Sequence, residues 1–220
     1  MFDKNKKIVA FSYLNSVVSG FLLKRDISFF RCDLREVANM QGKNKIASLN
    51  IENIESVTSS YNAKIPLVVD VPQMVLLSKN EISLEKMFIF ADKTNADYLS
   101  IDLNYFDFDL IKKGSLLGLK FVGYSTNNDV SADFIKEKVI EFQSAGGKLL
   151  ILENFTDAFI QMLHGIVKLP IISENGKNCD GNYIRMDKML GLAEHEENDV
   201  NLKKLILDIV DEKIFKIKNE

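Results

Sequence analysis

Four acidic side chains fall at the ends of short apolar runs. Asp33 closes Ser28-Phe29-Phe30-Arg31-Cys32-Asp33 and Asp70 closes Leu67-Val68-Val69-Asp70. Asp102 follows Leu99-Ser100-Ile101, and Glu153 follows Leu150-Ile151-Leu152. If the runs are parallel strands, their C-terminal ends converge on one face, where α/β proteins carry their sites. Several carboxylate oxygens gathered there suit a hard cation such as Mg2+. The competing role for any one Asp is to cap the helix that follows its strand. Glu153 is the least cap-like, because an ionised group after so apolar a strand needs a reason to be there.

The elements that would position these acids are legible from periodicity. Strands are expected at Lys7–Tyr13, Ser28–Asp33, Pro66–Val71, Tyr98–Leu103, Lys120–Ser125, Lys148–Glu153, Pro170–Ser173 and Asn182–Met186. Runs such as Ile65-Pro66-Leu67-Val68-Val69 are almost continuously apolar, as in strands covered on both faces. Amphipathic stretches lie between them at Asn50–Tyr61, Ser83–Asn95, Ser131–Ala145 and Thr156–Val167, with another at Asp199–Lys218. Eight strand-like runs alternating with helices predict a parallel α/β protein. The count favours a closed (β/α)8 TIM barrel over an open doubly wound sheet.

Composition narrows the function classes. A chain of 220 residues suits one domain, residues 1–220. Its 46% hydrophobic content is enough for a sizeable core. The net charge is −3 with Lys and Arg dispersed, so no dense patch would neutralise nucleic-acid phosphates. Cys32 and Cys179 have neither metal-finger nor redox spacing and fit a reducing cytoplasm. No secretory signal and no membrane-spanning apolar run is expected. Phosphate-cradling glycine motifs are absent.

The order of several motifs resembles ketopantoate hydroxymethyltransferases, a family of the phosphoenolpyruvate/pyruvate-type barrels. Ser144 to Glu153 is similar to the family's "EAGA…(I/L)VLE" strand, and Leu169-Pro170-Ile171-Ile172 to its "IPVIGIGAG" strand. Cys179-Asp180-Gly181-Asn182 resembles "CDGQ", and Asp187 to Leu192 resembles "HDMLGL". Arg31-Cys32-Asp33 stands at "VGDS", Gln41-Gly42 at "QG", and Val69-Asp70-Val71-Pro72 at "ADLP". The resemblance spans Lys7 to Leu192.

It implies transfer of a hydroxymethyl group from methylenetetrahydrofolate to 3-methyl-2-oxobutanoate, giving 2-dehydropantoate for pantothenate. It also implies that Asp33 and Asp70 bind Mg2+ with Asp102 nearby, and that Glu153 removes the C3 proton of the keto acid. The partners implied are the keto acid and the folate, in a homo-oligomer. The substrate-contacting positions have changed. Leu34 replaces the family's serine, Ser100 its lysine and Tyr124 its histidine, and Ser173-Glu174-Asn175-Gly176 stands for "GIGAG". These replacements favour an alternative, a catalytically weak homologue kept as a binding or assembly subunit. A carbon–carbon lyase of the phosphoenolpyruvate mutase/isocitrate lyase type is a third reading. His164 and His195 lack metal partners at ligand spacing, and a structural or solvated role is expected for each. Cys179 has no base beside it in sequence, so a nucleophile role is not expected. Tyr105, Phe106 and Phe108 are expected to pack under a helix, with a pterin wall as the minority role.

Overall fold

The computed structural model describes residues 7–12, 27–40, 51–59, 61, 64–72, 84–105, 107–126, 131–174 and 178–185. The expected strands all form, within two residues of the expected ends at most. They are β1 (Ile8–Ser12), β2 (Phe29–Cys32), β3 (Leu67–Asp70), β4 (Tyr98–Asp102), β5 (Phe121–Thr126), β6 (Leu149–Glu153), β7 (Ile171–Ser173) and β8 (Gly181–Ile184). Each pairs in parallel with the next, in sequence order around a closed barrel. At the seam the Ile8 N–H donates to the Asp180 carbonyl at 3.0 Å. Gly181 makes this approach possible, since a Cβ there would lie 1.9 Å from the Ile8 carbonyl oxygen.

Six helices are described: α1 (Leu34–Met40), α2 (Ile51–Thr58), α3 (Leu84–Lys93), α4 (Phe108–Leu116), α5 (Ala132–Ser144) and α6 (Asp157–His164). Ser131 and Thr156 cap α5 and α6 by accepting from the Phe134 and Phe159 N–H groups, at 3.2 and 3.3 Å. The strict eightfold repeat is not met. Residues 174–180 join β7 to β8 and are too few for a crossover helix like the others. The architecture is a parallel barrel with outer helices. Any helix after β1 or β8, including the one expected over Asp199–Lys218, lies outside the described residues. So do His195, Phe106 and Gln41-Gly42.

Strand side chains alternate between two cores. Phe30, Leu67, Val69, Leu99, Ile101, Phe121, Leu150 and Leu152 point outwards and pack with helical Ile54, Met87, Phe90, Ile111, Val139 and Phe142. The other set, including Ile8, Ala10, Phe29, Val68, Val122, Leu149, Ile151 and Ile172, fills the inside of the barrel. Burying each such Leu, Ile or Phe contributes roughly 1.5–3 kcal/mol before chain entropy is counted. The inner apolar layer is the floor on which the polar end is built. The chain divides into two compact units, Met1–Tyr183 and Ile184–Glu220, and the second is described only at its first two residues. Among the described residues no helix is long and apolar enough to cross a membrane.

Candidate functional site

The inward rows end in polar side chains. Phe29 is followed two residues on by Arg31 and then Asp33, Val68 by Asp70, Tyr98 by Ser100 and Asp102, and Ile151 by Glu153. Period-two geometry carries each of them to the C-terminal end of the barrel. Arg35 joins from the first turn of α1. A cation is unfavourable at that end of a helix dipole, so it needs acidic neighbours. It has them.

Arg31, with no solvent exposure, is held bidentately by Asp70. Its Nε donates to Oδ1 at 2.8 Å and its Nη2 to Oδ2 at 3.0 Å. Its Nη1 donates to Glu153 Oε1 at 3.3 Å and lies 3.7 Å from Asp33 Oδ2. Arg35 grips Asp33 through Nε, at 2.9 Å from Oδ1, and through Nη2 on Oδ2. It also reaches Glu153, with Nη1 at 2.6 Å from Oε2 and Nη2 at 2.8 Å from Oε1. All six carboxylate oxygens of Asp33, Asp70 and Glu153 therefore accept from guanidinium groups. Aromatic faces complete the cage. The Arg31 Cζ lies 4.2 Å from the Tyr124 ring centre and 5.2 Å from that of Tyr183, and the Arg35 Cζ lies 5.2 Å from Tyr124. The Tyr183 hydroxyl donates to Asp33 Oδ2 at 3.1 Å.

Ion pairs this deep hold only when the attraction and hydrogen bonds outweigh desolvation. Burial alone would lower the pKa of both arginines, yet the net shift is upward, through Asp70 and Asp33 for Arg31 and chiefly Asp33 and Glu153 for Arg35. Both stay charged. Asp70 is raised by burial, with Arg31 opposing and Asp33 adding. Asp102 is also raised, by burial and then by the charge of Asp70, against the Asn104 N–H and Arg31. Burial pushes Tyr124 up to about 12, so its ring carries a neutral hydroxyl.

Asp33, Asp70 and Glu153 meet here, and Asp33 and Asp102 serve the local backbone. Asp33 accepts from the Arg35 N–H at 2.9 Å, and Asp102 accepts from the Asn104 N–H at 2.9 Å. Leu34 requires correction as a substrate-contacting position. Its side chain is buried in the outer core, and only its N–H reaches the site, at 3.3 Å from Asp70 Oδ2. Ser100 is buried in register with Asp70, and Tyr124 in register with Asp102 lies over the guanidinium groups. His164 sits at the other end of the barrel, its Nε2 3.1 Å from the Asn178 carbonyl oxygen and 3.8 Å from Asp180. Cys179 lies between Asn178 and Asp180 in sequence, and its thiol donates to the Gly181 carbonyl at 2.9 Å. Tyr105 is 54% exposed, and Phe108 packs partly against the outer core. Arg31, Arg35 and Tyr183 were not expected at the site. The signal for Arg31 was present: if Asp33 points inwards, so does the residue two before it.

The Mg2+ expected on Asp33, Asp70 and Asp102 does not fit this arrangement. Mg2+ demands near-octahedral oxygen ligands at about 2.0–2.1 Å. Both oxygens of Asp33 and of Asp70 already face N–H donors of a cation. Among the described residues no group of three acidic, imidazole or thiol side chains is disposed to hold a metal ion.

No family model matches the chain, and no curated protein matches it in sequence. Solved structures do match in fold. A phosphoenolpyruvate phosphomutase from Streptomyces platensis subsp. rosaceus aligns over 96% of this chain and 84% of its own, at 9% identity and a TM-score of 0.68. A phosphonopyruvate hydrolase in complex with oxalate and Mg++ aligns over 96% and 82%, at 9% identity and a TM-score of 0.64. A 2,3-dimethylmalate lyase, described as a PEP mutase/isocitrate lyase superfamily member, aligns over 99% and 93%, at 9% identity and a TM-score of 0.61. At these identities the likeness establishes the fold.

Proposed function

We propose that the cluster at the C-terminal end of the barrel is a proton-transfer site that forms the enolate of a small 2-oxo acid. Its specific reaction in this reading is hydroxymethyl transfer from methylenetetrahydrofolate to 3-methyl-2-oxobutanoate. The observation that carries it is the meeting of Glu153, Asp33 and Asp70 around two guanidinium groups at that end. The fold adds support, since the structures it resembles include a hydrolase, a mutase and a lyase of the PEP mutase/isocitrate lyase kind.

Arg35 is the cation with an exposed edge, its side chain 22% exposed. A substrate carboxylate that takes over the Arg35 contact now made by Glu153 frees Glu153 to remove the C3 proton. The charge that develops on the enolate oxygen lies beside Arg35 and Arg31, the kind of fixed cation that stabilises such charge. C3 then bonds to the folate methylene carbon as one of that carbon's two bonds to nitrogen breaks, and the nitrogen takes the proton that Glu153 removed. Water displaces the second nitrogen, leaving its hydroxyl on the carbon and its proton on the nitrogen, and tetrahydrofolate leaves. Homo-oligomerisation, implied by the sequence resemblance, is carried as part of the same proposal.

A second reading has its own observation. With all six carboxylate oxygens occupied from within, the cluster also suits a barrel that has lost turnover and kept its fold for binding or assembly. Incubation of the chain with 3-methyl-2-oxobutanoate and methylenetetrahydrofolate separates the two. Formation of 2-dehydropantoate, abolished by Glu153→Gln, is expected. Absence of product, together with absence of C3 proton exchange, selects the second reading. A product of carbon–carbon cleavage instead places the chain with the lyases.

A further inference from the structure

We propose that Arg31 is a built-in cation that occupies the place a divalent metal would take among Asp33, Asp70 and Glu153. The inference does not rest on which reaction, if any, the cluster performs. Three features assign Arg31 this role. Its guanidinium lies between the carboxylates, bidentate on Asp70 and within reach of Glu153 and Asp33. It is enclosed by protein, with Tyr124 and Tyr183 over its faces at 4.2 and 5.2 Å. It also rises from β2, in the inward row shared with Phe29 and Asp33, so the strand rather than a mobile loop fixes its position.

A charged side chain held in this way forms a cation site that cannot be stripped by a chelator. It also repels a second cation, because a divalent ion bound to the same oxygens would lie within a few ångströms of the guanidinium with little solvent between them. Arg35 adds a second positive charge against Asp33 and Glu153 from the outer side. The chain should therefore gain nothing from divalent metal until Arg31 is removed. Removing it frees both oxygens of Asp70 and opens a space beside Asp33 and Glu153, which Arg35 still holds from the outer side.

Mn2+ serves as the probe, because its electron paramagnetic resonance signal changes when it leaves bulk water. The wild-type chain should leave the free Mn2+ signal unchanged, and millimolar Mn2+ or EDTA should leave its melting temperature unmoved. Arg31→Ala should melt lower in EDTA, bind Mn2+, and recover by about 5 °C or more when the metal is saturating. Wild-type binding of Mn2+ that disappears in Asp70→Asn would overturn the proposal. So would a folded Arg31→Ala that neither binds Mn2+ nor is stabilised by it. If Arg31→Ala folds under neither condition, the wild-type titration decides alone, with bound Mn2+ refuting the proposal and its absence upholding it.

Discussion

A guanidinium without solvent exposure must be surrounded by acceptors, and around Arg31 the acceptors are the same acids whose spacing first suggested a site. The acids were legible because carboxylates at the ends of apolar strands are conspicuous. The arginines were not, since Arg31 reads as one charge in a strand and Arg35 as a surface residue of a short helix. Only the strand period ties Arg31 to Asp33, and nothing in the sequence reveals that Arg35 folds back over Glu153. Asp102 contributes at this scale too. Among the described residues, ion pairs to arginine are made by Asp33, Asp70 and Glu153, whereas Asp102 feels Asp70 as a like charge. The folded chain therefore binds a proton at Asp102 more tightly than the unfolded chain does. This favours folding below the ordinary aspartate range, and the contribution is lost as pH rises through the elevated folded-state pKa. Asp102→Asn keeps the oxygen that accepts from Asn104 and removes the charge. Its urea midpoint should match wild type in acid and exceed it at neutral pH. A variant less stable than wild type at neutral pH would show that the ionised form is favoured instead.

Helices and strands differ in how plainly they announce themselves. The strands were readable to within two residues because their apolar runs are dense, and α2, α3, α5 and α6 because their stripes are long enough to show a period. The helices α1 and α4 carry no such stripe. The first has seven residues and opens on Leu34-Arg35-Glu36, where two charges follow one apolar residue. The second contains Gly114, a poor helix former, which is needed because a Cβ there would lie 2.9 Å from the Phe121 ring. Ser131→Ala removes the acceptor for the Phe134 N–H and should cost about 1 kcal/mol, within a range of roughly 0.5–2, in a chemical melt. It should leave the acid cluster untouched, because α5 enters the site only through its packing on the barrel. A loss of Glu153-dependent activity matching that of a site variant would show that the helix does more than cover the sheet.

At the scale of the whole molecule, the barrel gathers acids from β2, β3, β4 and β6 only because β8 lies against β1. Gly181 is where that seam is most sensitive. Gly181→Ala places a methyl group against the Ile8 carbonyl oxygen, a backbone atom that cannot swing away. It should cost about 3 kcal/mol or prevent folding, at or beyond the upper end of ordinary overpacking, and thermal melting reads it. An unperturbed melt would mean that the seam tolerates separation. The barrel was foreseeable from the count of strands, and the expected ends of the last two strands already left too few residues between them for a crossover helix. The most direct measurement on the site uses this intact barrel with EDTA present and no folate. It follows exchange of the C3 proton of 3-methyl-2-oxobutanoate into D2O. Wild type should exchange, and Glu153→Gln should be slower by about 100-fold or more, the usual scale for a positioned base. No exchange by wild type, or equal exchange by both, would contradict a proton-transfer role for this cluster.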